Sequence, residues 1–299
     1  MKILVTGGSG LLGGAISLYF KDYFDVIATY QKHKVAIEGC KSIYLDITDA
    51  KTTINLINKI KPNLIIHAAA LVGVNICDKE PELAYKINVE GTKNIVDAAK
   101  KANLKIIYIS TDYVFDGKKG MYNESDELNP INYYGKTKWE GEKLIDIKTN
   151  IIIRTSIYGW NIVKVKNNFS SWIIDELSNN KQINVFTDQF NSMMLVNNCA
   201  EALKEIIDKD LTGILNIASS ERTSKYDFAV KLAEIFDFNK DLIRPIYNSE
   251  VEGYEKRPSD VSLDVSKAKK ELNSKLLDIK HGLLKLKELK KECNIKNFR

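Results

Sequence analysis

Met1-Lys2-Ile3-Leu4-Val5-Thr6-Gly7-Gly8-Ser9-Gly10-Leu11-Leu12-Gly13 opens the chain and decides how its fold is read. Ile3–Thr6 is a short apolar run suited to a buried strand, and the apolar spacing after Gly10 predicts a helix over 11–20. Between them, Gly7, Gly10 and Gly13 stand at G-x-x-G-x-x-G spacing. The first suits a tight turn, the second lets backbone approach a pyrophosphate, and the third lets the helix pack closely. The amides at the start of the helix, at Leu11 and Leu12, add donors at the positive end of its dipole. A glycine trio alone is a weak signal. Placed between an apolar strand and an amphipathic helix it predicts a dinucleotide-phosphate turn.

Outward from this turn the chain alternates short β-branched runs with longer amphipathic stretches. Strands are predicted over 26–29, 42–45, 64–67, 105–109 and 151–154, and helices over 50–60, 82–102 and 132–145. Such alternation predicts an α/β fold, a doubly wound parallel sheet covered on both faces. After residue 156 the pattern loosens, with helices expected over 169–177, 198–207, 225–236 and 281–291 and strands over 183–186 and 214–217. Residues 1–156 are read as the dinucleotide-binding domain and 157–299 as a smaller C-terminal substrate lobe. No Pro-, Gly- or Ser-rich linker separates them, so close packing and chain crossing between lobes are expected.

The bulk numbers exclude several classes. Of 299 residues, 44 are basic and 39 acidic, spread through the chain, and a net charge of +5 gives little support to nucleic-acid binding. No apolar run approaches a membrane span. The N-terminus enters a strand pattern directly, so no cleaved leader is expected. Cys40, Cys77, Cys199 and Cys293 are far apart and read as reduced thiols of a cytoplasmic protein. His33, His67 and His281 are too sparse for zinc, and no metal is expected. The basic C-terminus (Lys285, Lys287, Lys290, Lys291, Lys296, Arg299) carries a leucine stripe (Leu283, Leu284, Leu286, Leu289) and reads as a surface helix docked on the body.

The carboxylate that would grip an adenosine ribose should end the second strand. The sequence there, Ala28-Thr29-Tyr30-Gln31-Lys32-His33-Lys34, has none, while Lys32 and Lys34 can meet a 2′-phosphate. This favours NADPH, with NADH also usable. Asp46-Ile47 is placed to flank the adenine, although Asp46 equally suits a helix cap. Ala68-Ala69-Ala70 ends the fourth strand with side chains small enough to let a cofactor lie close.

The chemistry is carried by Ser110-Thr111-Asp112-Tyr113-Val114-Phe115-Asp116-Gly117 and Tyr134-Gly135-Lys136-Thr137-Lys138. A tyrosine can pass a proton. A lysine four residues on shares its helical face and can lower the phenol's pKa by its charge. Thr111 can hold a substrate oxygen.

These blocks resemble the extended short-chain dehydrogenase/reductase family, and most closely its dTDP-4-dehydrorhamnose reductase branch. The matching stretches are TGGSGLLG, HAAA, INVEGTKN, ISTDYVFDG, NYYGKTKWEGE, RTSIYG, Asp188-Gln189 and KRPSDVSLDVSKA, covering nearly the whole chain. The resemblance implies a Rossmann-type fold and an NAD(P)H-dependent oxidoreductase of nucleotide-sugar metabolism, with hydride delivery to C4 of a nucleotide-linked 4-keto-6-deoxy sugar. It makes Tyr134 the proton donor and Lys138 its partner and a holder of the nicotinamide ribose. It puts Thr111, Asp112 and Tyr113 at the substrate and makes Asn88 a support through backbone and water contacts. A homodimer is left open. Arg257, in Lys256-Arg257-Pro258, is the candidate for the diphosphate, because a guanidinium can hold two phosphate oxygens at once.

Two departures touch the sugar. The family's RTSWVYG reads Arg154-Thr155-Ser156-Ile157-Tyr158-Gly159 here, without the tryptophan. Phe190-Asn191-Ser192-Met193-Met194 follows the Asp-Gln pair, and the two methionines are expected to offer adaptable apolar surface to the ring. A dehydratase is disfavoured because Tyr113 follows Asp112 where a glutamate would be needed. An epimerase, or a non-catalytic regulatory subunit like methionine adenosyltransferase beta, remain as alternatives.

Overall fold

The computed structural model describes residues 1–163, 168–251 and 257–293. In chain order the first part runs β1 (Lys2–Thr6), α1 (Leu11–Phe20), β2 (Asp25–Tyr30), β3 (Lys41–Tyr44), α2 (Ala50–Ile60), β4 (Leu64–His67), α3 (Val74–Lys79), α4 (Pro81–Tyr85), α5 (Gly91–Lys101), β5 (Lys105–Thr111), α6 (Tyr133–Glu142) and β6 (Ile151–Thr155). A seventh strand, Gly213–Asn216, pairs with β6. Across the sheet the order is seventh strand, β6, β5, β4, β1, β2, β3, with every pairing parallel. Chain order reverses between β1 and β4, and in such sheets the crevice beyond the strands' C-terminal ends takes the ligand.

The strands are β-branched without polar alternation because both faces are covered. On one side Ile3, Val5, Ile66 and Ile153 pack with Ile16, Phe20 and Leu203; on the other Leu4, Ile65 and Ile152 pack with Ile57 and Ile95. The helix predicted over 82–102 is interrupted by a π-helical segment, Lys86–Glu90, which buries Asn88. Interruptions of this kind mark functional positions in helices.

The chain crosses back between lobes. Helix Val196–Asp208 packs on α1, and Gly213–Asn216 extends the sheet. A division at residue 157 therefore cuts through the sheet. The second lobe has its own core of Tyr158, Ile173, Leu177, Phe228, Leu232, Leu283 and Leu286, built around the parallel pair Ile183–Phe186 and Ile243–Ile246. In the C-terminal helix Ile279–Cys293, Leu283 and Leu286 are buried and Leu289 packs partly. Leu284, expected on the same stripe, points outward, because one residue on from Leu283 is a rotation of about 100°. Lys256, Lys296 and Arg299 lie outside the described residues.

One buried ion pair ties β5, β6 and α6 together. Arg154 donates from Nη2 to Glu142 Oε2 at 2.8 Å and from Nε to Oε1 at 3.1 Å, while Ser110 Oγ donates to Oε1 at 2.5 Å. Glu142→Gln leaves the guanidinium without its counter-charge in a dry interior. It should cost about 3–5 kcal/mol, measured as a lowered urea midpoint. A loss below about 1 kcal/mol would show that the pair is not what holds α6 to the sheet.

Candidate active site

The phosphate turn forms as its spacing predicts. Gly7 has φ of 72°, and a Cβ there would lie 2.8 Å from Ala69 Cα. A Cβ on Gly13 would run into the Gly7 carbonyl oxygen, so the helix closes on the turn only with glycine at both places. Gly10 is the N-cap of α1 without a side-chain cap, and the first turn carries no acidic residue. The leading amides of any helix have no intrahelical acceptor, so this end is ready for an anion. Leu12 contributes only backbone here, because its side chain is buried in the core.

Around the adenine region the expectations are partly corrected. Tyr30 ends β2, half-buried and edge-on to Tyr44, and Lys32 and Lys34 are exposed just beyond it. Asp46 does not cap α2. It accepts from Thr48 N and Oγ1 in a local turn, and the N-cap is Asp49, which accepts from Thr52 N. Ile47 was expected at the cofactor, but its side chain is buried against Gly91 and its carbonyl accepts from Asn94. Ala68, Ala69 and Ala70 are all half-buried where β4 opens into the crevice.

A buried hydrogen-bond chain runs from this turn to the catalytic helix. Thr6 Oγ1 accepts from Ala69 N and lies 2.7 Å from His67 Nδ1; His67 Nε2 lies 3.0 Å from Thr92 Oγ1, which donates to Asn88 O at 2.6 Å. Thr92 has one hydrogen and gives it to Asn88, so His67 must donate from Nε2. Burial, with the Lys138 charge adding to it, pushes its pKa down to about 3, so the ring is neutral and Nδ1 accepts from Thr6 Oγ1. Asn88 is wholly buried. It accepts from Leu71 N at 2.7 Å and donates to Leu71 O and Thr137 Oγ1, at 3.1 and 2.9 Å. Its side chain braces the loop after β4 against α6.

Helix α6 starts where Asn132 accepts from Gly135 N at 2.8 Å, and Gly135 has no Cβ to collide with the Tyr113 carbonyl. This close approach sets Tyr134 edge-on to Tyr113 at 6.1 Å. Burial raises the Tyr134 phenol well above its ordinary value, and the nearby Thr111 hydroxyl opposes it only in part. The phenol is thus raised where the sequence led us to expect a lowering by Lys138, which is itself buried. Its Nζ lies 4.1 Å from the Tyr108 ring centroid, drawn to that π face. Burial pushes the amine down to about 7, with Glu142 opposing.

The crevice continues into a cavity of about 350 Å³ lined by Tyr113, Phe169, Trp172, Gln189, Lys225 and Arg257. Arg257, the candidate for the diphosphate, lines this cavity and donates from Nη2 to Asn75 Oδ1 at 3.0 Å. Lys225, Phe169 and Trp172 were missed by the sequence reading. Lys225 begins a helix capped by Ser224, and its amide donates to Gln189 O at 2.9 Å. Met193 and Met194 are buried in the two cores and do not line the cavity; Met193 reaches it only by accepting from Lys225 Nζ. Ile157 is held in a two-residue parallel pair with Met194.

The sequence and fold of this chain have counterparts among known proteins. The family model described as RmlD substrate binding domain matches residues 1–290. The chain belongs to that family. It is an extended short-chain dehydrogenase/reductase of the dTDP-4-dehydrorhamnose reductase-like group and an NAD(P)H-dependent oxidoreductase. The dTDP-4-dehydrorhamnose reductase of Aggregatibacter actinomycetemcomitans is 32% identical over 282 residues, spanning 89% of this chain and 91% of that protein. Methionine adenosyltransferase 2 subunit beta of Xenopus tropicalis is 30% identical over 279 residues, spanning 90% and 82%. A solved dTDP-4-dehydrorhamnose reductase from Bacillus anthracis, in complex with NADP, is 27% identical, covers 96% of this chain and 99% of that one, and gives a TM-score of 0.84. Among the described residues no helix is long and apolar enough to cross a membrane.

The buried lysine of this reductase-like chain carries a stability cost whose sign is fixed. With its folded pKa at about 7 against 10.5 unfolded, the desolvation penalty is fully present below pH 7 and is relieved as pH rises toward 10.5. Lys138→Met should therefore raise the melting temperature at pH 7 while removing turnover. The gap between variant and wild type should narrow from pH 7 to pH 9. A gap that widens over that range would show the amine to be well solvated.

Proposed function

We propose that the chain is an NADPH-dependent reductase of a nucleotide-linked 4-keto-6-deoxy sugar, with Tyr134 as proton donor. The observation that carries the reading is Tyr134, buried on α6 with Lys138 one turn on and set edge-on to Tyr113, which lines the cationic cavity. The residues fit the cofactor. Gly7, Gly10 and Gly13 leave a cradle that side chains would fill, Leu11 and Leu12 offer amides, and Ala68–Ala70 leave room beside them. The exposed Lys32 and Lys34, with no carboxylate ending β2, favour the 2′-phosphate of NADPH over NADH. When bound, the nicotinamide supplies the hydride that reduces the substrate carbonyl carbon.

The protein's share is proton transfer and positioning. Tyr134 gives its phenolic proton to the carbonyl oxygen as charge develops there. Its high proton affinity keeps it loaded until that moment. Lys138, buried and cationic below about pH 7, supplies positive potential at the inner wall and is placed on the tyrosine's helical face for the nicotinamide ribose. Phe169 and Trp172 offer flat apolar faces to a nucleoside or sugar, and Arg257 and Lys225 offer charge to its diphosphate.

Tyr134→Phe should lower kcat about 10²–10⁴-fold and leave NADPH affinity nearly unchanged, read by nicotinamide absorbance with a panel of 4-keto nucleotide sugars. Turnover within a few-fold of wild type would remove Tyr134 as the donor. Arg257→Ala should raise KM for the nucleotide sugar strongly and leave that for NADPH alone. Equal KM values would take Arg257 out of the site. If no keto sugar is reduced and the protein instead co-purifies with a methionine adenosyltransferase, the regulatory-subunit reading replaces this one.

A further inference from the structure

Lys138 is buried, yet among the described residues its ammonium makes no hydrogen bond and no ion pair. What stands against it is the face of Tyr108, with Nζ 4.1 Å from the ring centroid. Tyr108 is wholly buried on β5, in register with His67 on β4 and Ile152 on β6. Its ring leans on the His67 ring, centroids 5.8 Å apart, and its hydroxyl donates to the Lys138 carbonyl oxygen at 3.3 Å. Helix α6 comes this close only because Gly141 has no side chain, since a Cβ there would stand 2.2 Å from the Tyr108 hydroxyl oxygen. Tyr108 therefore touches Lys138 twice, at its backbone and at its amine.

A lysine amine sits on a flexible four-carbon stem and takes its place from what attracts it. The other groups around this one are spent, neutral or turned outward. On α6, Glu142 accepts from Arg154 and Ser110, and Tyr134 keeps its proton. On β4, His67 is neutral. Of the segments packed on α6, α3 gives Asp78 to Tyr133 N and the Cys77 thiol to Leu71 O. The turn after β5 faces Tyr113 to the cavity and engages Asp112 with Thr111, and Glu82, Lys86 and Glu90 are exposed. The Tyr108 ring is left as the attraction that fixes the ammonium, and such a contact is strongest where water is excluded. Because that ring leans on His67, whose Nδ1 meets Thr6 beside the glycine turn, the amine is placed relative to the cradle for a pyrophosphate.

We propose that Tyr108 is a positioning residue for the reduction, its π face fixing where the Lys138 ammonium stands at the cofactor. Being fully enclosed, Tyr108 acts through Lys138 and not on a ligand, and the ammonium's part at the cofactor rests on the reductase reading. A π face attracts the protonated amine and not the neutral one. It therefore works against the burial that brings Lys138 down to about 7 and keeps the charged form in use near neutrality.

Fluorination separates the ring's charge distribution from its bulk. Tyr108→Phe keeps the ring and loses the 3.3 Å hydrogen bond, and should leave kcat and the NADPH dissociation constant within about threefold of wild type. Replacing Tyr108 by mono-, di- and trifluorinated phenylalanine keeps the shape while withdrawing π density step by step. In wild type kcat should fall as pH rises through about 7, where Lys138 loses its proton. Along the fluorinated series that limb should move to lower pH, by about one unit at the last member. NADPH should bind more weakly in step at pH 7 and nearly alike at pH 5, where the amine is charged throughout. Nitrogen NMR titration of the Lys138 amine in the ligand-free protein, its signal identified by loss in Lys138→Met, needs no substrate, and its midpoint should follow the same order. A limb, an affinity or a midpoint that ignores fluorination would overturn the proposal and leave the reductase reading intact, as would a Tyr108→Phe variant that loses as much as the trifluorinated one. Failure of the wild type to reduce any 4-keto nucleotide sugar would instead overturn the reductase reading, with the NMR midpoints still deciding the ring's hold on the amine.

Discussion

Everything chemical in this molecule depends on the fixed relation between the β1–α1 turn and helix α6, and that relation is held by buried hydrogen bonds. Sheet register puts Thr6 opposite His67, so the threonine that ends the first strand meets a ring nitrogen of the fourth. From the other nitrogen the chain passes through Thr92 and Asn88 to Thr137, whose hydroxyl donates to the Tyr134 carbonyl at 2.9 Å. Each member has one arrangement of hydrogens that satisfies it, and such a network specifies geometry more sharply than apolar packing does. The π-helical segment is part of this device, since it is where Asn88 turns inward to reach both the β4 loop and α6.

The dry environment that makes those bonds strong also sets the proton affinities of the site. Burial dominates every shift. It lifts the Tyr134 phenol and the Asp112 carboxyl, lowers Lys138 to about 7 and Lys225 to about 8, and keeps His67 neutral. Nearby charges only modify this pattern. A simple pairing of a tyrosine with a lysine four residues on would have predicted a lowered phenol. The structure gives a raised one, because burial of the phenol outweighs the charges around it. The tyrosine is thus a group that holds its proton firmly, which suits a donor that must wait for a developing alkoxide.

Local motifs were legible in the sequence because their function lies in consecutive backbone. The glycine turn works through main-chain amides and missing Cβ atoms, so its residues carry their meaning wherever the strand and helix form. The Tyr-x-x-x-Lys pair and the parallel sheet order could be read for the same reason. What escaped were side chains whose role exists only after the chain has folded. Lys225 follows a serine cap and reads as an ordinary helix start; it becomes a cavity wall because its amide is anchored on Gln189 O and its amine donates to Met193 Sδ. Phe169 and Trp172 sit on a helix whose apolar pattern serves the lobe core as well as the cavity. Met193 and Met194 misled for the opposite reason. They lie in sequence beside the Asp-Gln pair but fall on opposite sides of a short strand, one in each core.

The return of the chain to the first lobe gives the cavity its rigidity. Between Val196 and Asn216 the backbone leaves the second lobe, packs a helix on α1 and adds a strand to the sheet beside β6. This returning segment lies in sequence between Gln189 and Lys225, so both cavity residues adjoin chain built into the same core as the phosphate turn. A hinge placed at residue 157 would have to break the β6 pairing, where Ile151 to Arg154 face Gly213 to Asn216. That pairing ties the returning segment to the first lobe's sheet, and side chains at the cavity rim can adjust to a substrate. Arg257 is the one best placed to adjust, since it donates to the neutral Asn75, and exchanging that partner for a diphosphate trades a weak hydrogen bond for charge-assisted ones.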